Sequence, residues 1–437
     1  MNNLKYFLII IILSGCSLNK NSKFWTISEK IDKESILDNK IVKEEFFKEE
    51  SVLDKEFNQN LKIKIDGKTN SNKQIINFSN NNERANFDGN LQNISRYKFS
   101  KIKNFYQYEP EVSFHGENVI FFNNEGTILK FNEKSNLNWQ KNYYSKSEKK
   151  LRPILQFANN NKHLVVADNI AKYYLLDIET GQLMWSKNNV APFNSQIKIY
   201  KDKIFVIDFS NTLRCFSLKN GDELWNVKTE SSLIRSQKKL SMVIVKNTIL
   251  FNNSIGDISA VDLNNGELLW QLPTQSSLIY ESTFSLETSD IITDNKSLYF
   301  SNNQNQFFSL DINTGSFNWE TKINSSLRPT LIGNMLFTVS QEGYLFLIDK
   351  NNGNIIKTTD VFENFKKKKR NSIKPTGFIL GKSKIYISTD NGRLLVVDIE
   401  TGKTISTLKI DNEKILRPKI LNEKLFVVKN NSIIKLN

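Results

Sequence analysis

The feature that most constrains this chain is a short frame that recurs along most of its length. DIETGQLMW (177–185), SLKNGDELW (217–225), DLNNGELLW (262–270) and DINTGSFNW (311–319) share a polar turn, a glycine and, four residues after it, a tryptophan. DKNNGNIIK (349–357) and DIETGKTIS (398–406) keep the frame without the Trp, and a degenerate copy ends at Trp139. The Trp-equivalent positions 139, 185, 225, 270, 319, 357 and 406 recur at about 44 residues. A length of 437 residues would by itself allow two or three domains. A repeat of this period instead points to one array of four-stranded units.

The frame has a physical logic. Gly181, Gly221, Gly266, Gly315, Gly353 and Gly402 end short polar turns, where a hairpin needs one residue at positive φ. The Trp that follows falls on the outermost strand, where its ring can pack on the neighbouring unit, so that the tryptophans form a girdle. Upstream of the turns stand short apolar runs without polar alternation: VIFFNN (119–124), LVVAD (164–168), IFVIDF (204–209), TILFNN (248–253), LYFSNN (298–303), MLFTVS (335–340), IYISTD (385–390) and LFVVKN (425–430). Such runs indicate strands buried on both faces. They number eight, against seven turns with a following strand, and the chain stops at SIIKLN (432–437), one strand short. An open edge would expose unpaired backbone groups. ISRYKFSKI (94–102) has the length and alternation to complete the last unit, with Tyr97, Phe99 and Ile94 facing inward. The expected fold is therefore all-β: an eight-bladed β-propeller of four-stranded blades over 86–437, closed by its N-terminal strand.

The N-terminus reads as an address. Lys5 precedes the apolar stretch YFLIIIIL (6–13), too short to span a bilayer, which needs about 20 residues. Ser14 and Gly15 stand directly before Cys16, and LSGC resembles the lipobox of bacterial lipoproteins. That resemblance implies removal of residues 1–15 as a signal peptide and lipid attachment at Cys16. Each buried CH₂ contributes about 0.8 kcal/mol, so two or three acyl chains anchor a protein firmly. Ser17, in place of an Asp, favours sorting to the outer membrane of a Gram-negative cell, facing the periplasm. Residues 16–85, rich in Lys, Glu, Asn and Ser and without Pro, are expected to form a lipid-anchored flexible tether. With Cys16 lipidated, Cys215 has no disulfide partner and reads as a small apolar core residue.

Composition removes several classes of function. Two Cys and two His cannot build a haem attachment site, a CxxC pair or a His/Cys metal cluster. The net charge of +14 would suit an acidic partner or an anionic surface, but Lys is abundant throughout, and the dense run Lys366–Arg370 reads as a solvated loop. Asp177, Asp262, Asp311, Asp349 and Asp398 recur at one repeat position, as turn residues do and a singular catalytic base does not. No nucleophile–base pair or phosphate-binding loop is present, so no catalytic, cofactor-binding or metal-binding residue is assigned.

The D-x-x-[TN]-G-x-x-x-W frame at this period resembles the pyrroloquinoline-quinone-type repeat, over roughly 86–437. Quinoprotein dehydrogenases and the non-enzymatic BamB lipoproteins share that repeat. Lipobox, tether and a closed eight-unit propeller together look like the BamB family. The resemblance implies a scaffold of the outer-membrane β-barrel assembly machinery that binds the periplasmic POTRA domains of a BamA-like protein and uses no cofactor. In that family the contact comes from the loops joining blades three to four and four to five. SLIRSQ (232–237) aligns with the family's Leu-x-Leu-Arg stretch: Ile234 matches the second leucine and Arg235 the arginine. Ser232 stands where the first leucine is expected, with Leu233 beside it as a substitute apolar contact. In the next loop Ser285, Leu286 and Glu287 replace an Asp-x-Asp pair, leaving Glu287 as the acidic contact. A competing reading makes Leu-Arg an ordinary strand lead-in, as in LRP at 151–153, 327–329 and 416–418. Two other functions stay open: a quinoprotein-like enzyme, which would need quinone and calcium, and a propeller that binds other envelope components.

Overall fold

The computed structural model describes residues 56–65, 69, 84–230, 236–274 and 286–437. Cys16 and the first part of the expected tether lie outside them. The described residues contain eight four-stranded antiparallel sheets, each formed by consecutive strands except the last. Blades 1 to 7 span 113–141, 155–188, 198–228, 242–272, 292–321, 330–360 and 375–409. In blade 8 the strands Lys419–Leu421, Lys424–Lys429 and Ser432–Leu436 are completed by Asn93–Lys98, which pairs antiparallel with the C-terminal strand. The ring is closed by the N-terminal strand.

Closure follows from side chains as well as backbone. Tyr97, opposite Ile433, is fully buried, stands edge-on to Phe131 of blade 1, and packs against Phe426 of its own blade. Its hydroxyl donates to the Glu133 carbonyl at 3.1 Å, in the outer turn of blade 1. Phe99, just past the strand, is half-buried against Phe121. Ile94 does not face inward: it is 46% exposed, because a bulge between Asn93 and Ser95 interrupts the alternation there.

The eight apolar runs form the second strand of each blade rather than the innermost one. Most innermost strands are shorter, as at Ser113–His115, Lys198–Tyr200 and Ile292–Thr293. The second and third strands are buried nearly throughout, each blade sandwiched between its neighbours. Cys215 lies in this layer, and burial pushes its thiol up to about 12.

Each Trp of the repeat docks on the glycine turn of the next blade. At Gly266, with φ +76°, an added Cβ would stand 2.6 Å from Cε3 of Trp225. The indole nitrogens of Trp185, Trp270 and Trp319 donate to the carbonyls of Leu218, Ile312 and Lys350 at 3.0, 3.1 and 2.8 Å. The repeated aspartates hold the turns: Asp177 Oδ1 accepts from the Thr180 amide at 2.8 Å, and Asp398 Oδ1 from the Thr401 amide at 2.7 Å. A bulge one residue before the Trp position recurs in blades 1 to 7, so that Leu175 pairs with Trp185 and Leu176 with Leu183. The bulge turns the indole toward the neighbouring blade and sends the skipped residue outward. That is why Met184, Leu224, Leu269 and Ile405 are exposed.

Part of the expected tether is packed. Phe57 pairs with Thr358 on the outer edge of blade 6 through two backbone bonds of 3.0 Å, and buried Ile63 donates its amide to Glu400 of blade 7. Here the Trp position holds Lys357, whose buried ammonium donates to the carbonyls of Leu61 and Gln59 at 2.6 and 3.1 Å. A buried cation without an indole's shape needs acceptors, and this segment supplies them. Phe87 continues the path by packing on Tyr386 before the chain reaches Asn93.

Candidate partner-binding face

In each blade the outer strand ends on the face from which the next blade's inner strand begins, so all connectors between blades gather on one face. The Gly–Trp turns lie on the other. Among the described residues the connector face carries 229–230 and 236–241 between blades 3 and 4, and 273–274 and 286–291 between blades 4 and 5. Leu233, Ile234 and Arg235 lie outside the described residues. Their flank does not: the hydroxyl of Ser236 donates to the carbonyl of Leu286. The residue after Arg235 thus touches the residue before Glu287, and the two connectors singled out in the sequence meet.

Glu287 is half-buried and engaged inside the protein. Its Oε2 accepts from Ser326 Oγ at 2.8 Å and lies 3.5 Å from Gln341 Nε2, both from the blade 6 side, while its amide donates to Asn303 Oδ1 at 2.9 Å. It pins the end of its connector.

Next to these connectors the axis opens in a charged mouth. Glu111, Gln196, Asp290, Arg328 and Arg417 each stand two residues before an inner strand. One repeat position in five blades therefore contributes to a ring. Lys239 reaches across the axis to Glu111 at 2.5 Å, and Lys419 meets the same carboxylate at 2.8 Å. Glu109 lies 2.8 Å from Lys414 and 3.4 Å from Lys238. Burial alone would raise Glu109, but Lys238 and Lys414 outweigh it and hold the carboxyl at about 2. Gln196 donates to Asp290 at 2.9 Å, and Arg328 stands 3.7 Å from that carboxylate. Lys238 and Lys239 thereby tie the connector that carries Arg235 to the opposite side of the ring. Sequence reasoning missed this ring, although recurrence of Leu-Arg-Pro at 327–329 and 416–418 marked two members. Lys366–Arg370, expected as a loop, contains a one-turn helix, Lys367–Arg370, on the same face.

The mouth does not fit a tricyclic quinone. Its cavity measures about 60 Å³, against the roughly 300 Å³ or more typical of cofactor pockets. Among the described residues no group of three His, Cys, Asp or Glu is placed to hold a metal ion.

Comparison with known proteins agrees with this architecture. Residues 115–359 match the family described as outer membrane protein assembly factor BamB. The crystal structure of BamB from Moraxella catarrhalis superposes with a TM-score of 0.63 at 16% identity, covering 79% of this chain and 99% of that one. A quinohemoprotein alcohol dehydrogenase from Comamonas testosteroni gives 0.58 at 9% identity, over 81% and 78%. The C-terminal WD40 domain of Sif2 gives 0.58 at 13%, over 80% and 99%. At these identities the structures share a fold. No curated protein sequence matches the chain significantly.

Proposed function

Because the chain belongs to the family of the outer-membrane assembly factor BamB, we propose that it is a non-enzymatic scaffold lipoprotein of the β-barrel assembly machinery. It is anchored by acylated Cys16, faces the periplasm from the outer membrane, and binds the POTRA domains of a BamA-like protein through its connector face. The observation that carries this reading is the Ser236–Leu286 hydrogen bond. It brings together the ends of two connectors that correspond in order to the family's contact loops, which supports reading the stretch around Arg235 and the end of the next connector as one surface. A guanidinium there offers a two-pronged contact to a carboxylate, and Leu233 and Ile234 add apolar area, the composition of an interface hot spot. Glu287 frames this surface by fixing the second connector to blade 6.

Arg235→Glu should weaken binding to a purified POTRA fragment by about 2 kcal/mol, roughly 30-fold, without lowering the melting temperature. Arg152, another Leu-Arg pair in a different connector, is the control. Arg328 and Arg417 cannot serve, because they line the axial mouth. Equal weakening by Arg152→Glu, or a loss of fold stability in place of affinity, would refute the assigned surface.

A further inference from the structure

Every glycine turn from blade 2 to blade 6 receives a Trp ring from the blade before it, and the turn of blade 7 does not. Its Gly402 faces Thr359, and the Trp position of blade 6 holds Lys357. Residues 56–65 take the place of the ring. Trp270 and Trp319 donate to the carbonyls of Ile312 and Lys350, one residue after the turn aspartate. In blade 7 the amide of Ile63 donates to the carbonyl of Glu400 at 3.0 Å, two residues after Asp398. The Ile63 side chain joins the apolar cluster of Leu347 in blade 6 with Ile385 and Val397 in blade 7. Alongside, Phe57 pairs with Thr358, Asn58 Nδ2 donates to the Ile356 carbonyl at 2.9 Å, and the Lys357 ammonium reaches the carbonyls of Gln59 and Leu61.

This contact has the form of a bound peptide. Extended segments bind by adding a strand to a sheet edge, where main-chain bonds give affinity and a side-chain pocket gives specificity. Of the segment's apolar side chains Ile63 alone is buried, while Phe57 and Leu61 are exposed. A segment with so few buried contacts opens at lower cost than the domain that holds it. A buried ammonium requires acceptors, so Lys357 keeps the groove available to carbonyls where an indole would fill it. We propose that the groove between the outer strand of blade 6 and the glycine turn of blade 7 is a peptide-binding site, that residues 56–65 are its resident and separable ligand, and that Lys357 selects it. The ligand class is an extended peptide that offers the ammonium two main-chain carbonyls, two residues apart, and an aliphatic side chain two residues further on. This does not depend on the POTRA reading.

Lys357→Trp separates the ligand from the fold. With Thr359 it recreates the Trp319–Thr321 pair that docks on Gly353, so the new ring should fill the groove and expel the segment. In hydrogen exchange on the full chain, residues 56–65 should lose protection at least tenfold, while the closing strand Asn93–Lys98 keeps its own.

Ile63→Asp should free the same groove without filling it. A fluorophore-labelled synthetic peptide of residues 56–65 should then bind this variant at least tenfold tighter than the parent, whose groove is occupied. The same peptide carrying Ile63→Asp should not bind, and adding Lys357→Trp to the Ile63→Asp chain should abolish binding. Urea midpoints of both single variants should stay near that of the parent. Unchanged protection of 56–65 in Lys357→Trp, or a urea midpoint that falls with the segment's release, would make the segment an inseparable part of the fold. The absence of saturable peptide binding to Ile63→Asp, or binding that survives Lys357→Trp, would overturn the site.

Discussion

Tyr97 is where the two ends of the chain are locked together, and its truncation should be among the most costly single changes in the propeller. The ring is fully buried between Phe131 of blade 1 and Phe426 of blade 8, and the hydroxyl reaches the Glu133 carbonyl. Replacing a buried aromatic by Ala costs about 3–5 kcal/mol, the transfer term plus the cavity left behind. Removing the hydroxyl alone, in Tyr97→Phe, should cost about 1 kcal/mol. Ile94, on the same strand but 46% exposed, should tolerate Ala within about 0.5 kcal/mol. Urea unfolding followed by fluorescence of the Trp girdle reads all three variants against the parent. The predicted order is Tyr97→Ala far below Tyr97→Phe, with Ile94→Ala near the parent. If Tyr97→Ala and Ile94→Ala unfolded at the same midpoint, the N-terminal strand would not be what holds the ring closed.

Gly266→Ala places a methyl 2.6 Å from Trp225 at φ +76° and should cost about 3 kcal/mol, whereas Gly116→Ala, at φ +58° with open space, should cost only about 1–2 kcal/mol; equal losses in thermal melts would remove the docking contribution. Hydrogen bonds from Thr180 hold the Asp177 carboxyl below its usual 3.8, and those from Thr314 do the same for Asp311. A depressed native value gives stability that is present above the unfolded value and lost as pH falls through the native one, so an Asp177→Asn, Asp311→Asn double variant should lose less stability between pH 4 and 2 than the parent. Melting temperatures that fall in parallel over that window would contradict it. Cys16→Ala should leave an uncleaved precursor or a protein released without detergent, and mass spectrometry showing cleavage before residue 16 with detergent-dependent extraction would contradict the anchor.

The Gly–Trp frame was legible because each unit repeats the same physical problem: a tight turn, a ring to dock and an edge to close. Counting strands also located the closing strand, since an unpaired edge has few remedies. The bulge before each Trp was not legible. The skipped residues range from Asn138 to Met184 and Leu224, apolar side chains that read as core in a sequence, and their outward direction is set by backbone register. The segment 56–65 escaped notice because it docks largely through backbone bonds, which carry no side-chain pattern; the missing Trp at Lys357 was its one trace. The axial ring was hidden for a related reason. Its members range from Glu111 to Arg417 and are unified only by standing two residues ahead of strands as short as Ile292–Thr293. Of the expected contact residues, Glu287 ends the connector between blades 4 and 5, and the sequence could not show that its carboxylate accepts from Ser326.

The central claim is that the connector face, and not the Gly–Trp face, meets a POTRA-bearing partner. Photo-crosslinking in intact cells tests it directly, with a photoreactive residue at position 235, within the sequence joining blades 3 and 4, or at Asn265, in an exposed outer turn of the Gly–Trp face. The account predicts a crosslink from position 235 to a BamA-like protein, identified by mass spectrometry, and none from position 265. A crosslink to that protein from position 265 alone, or from neither position, would contradict it.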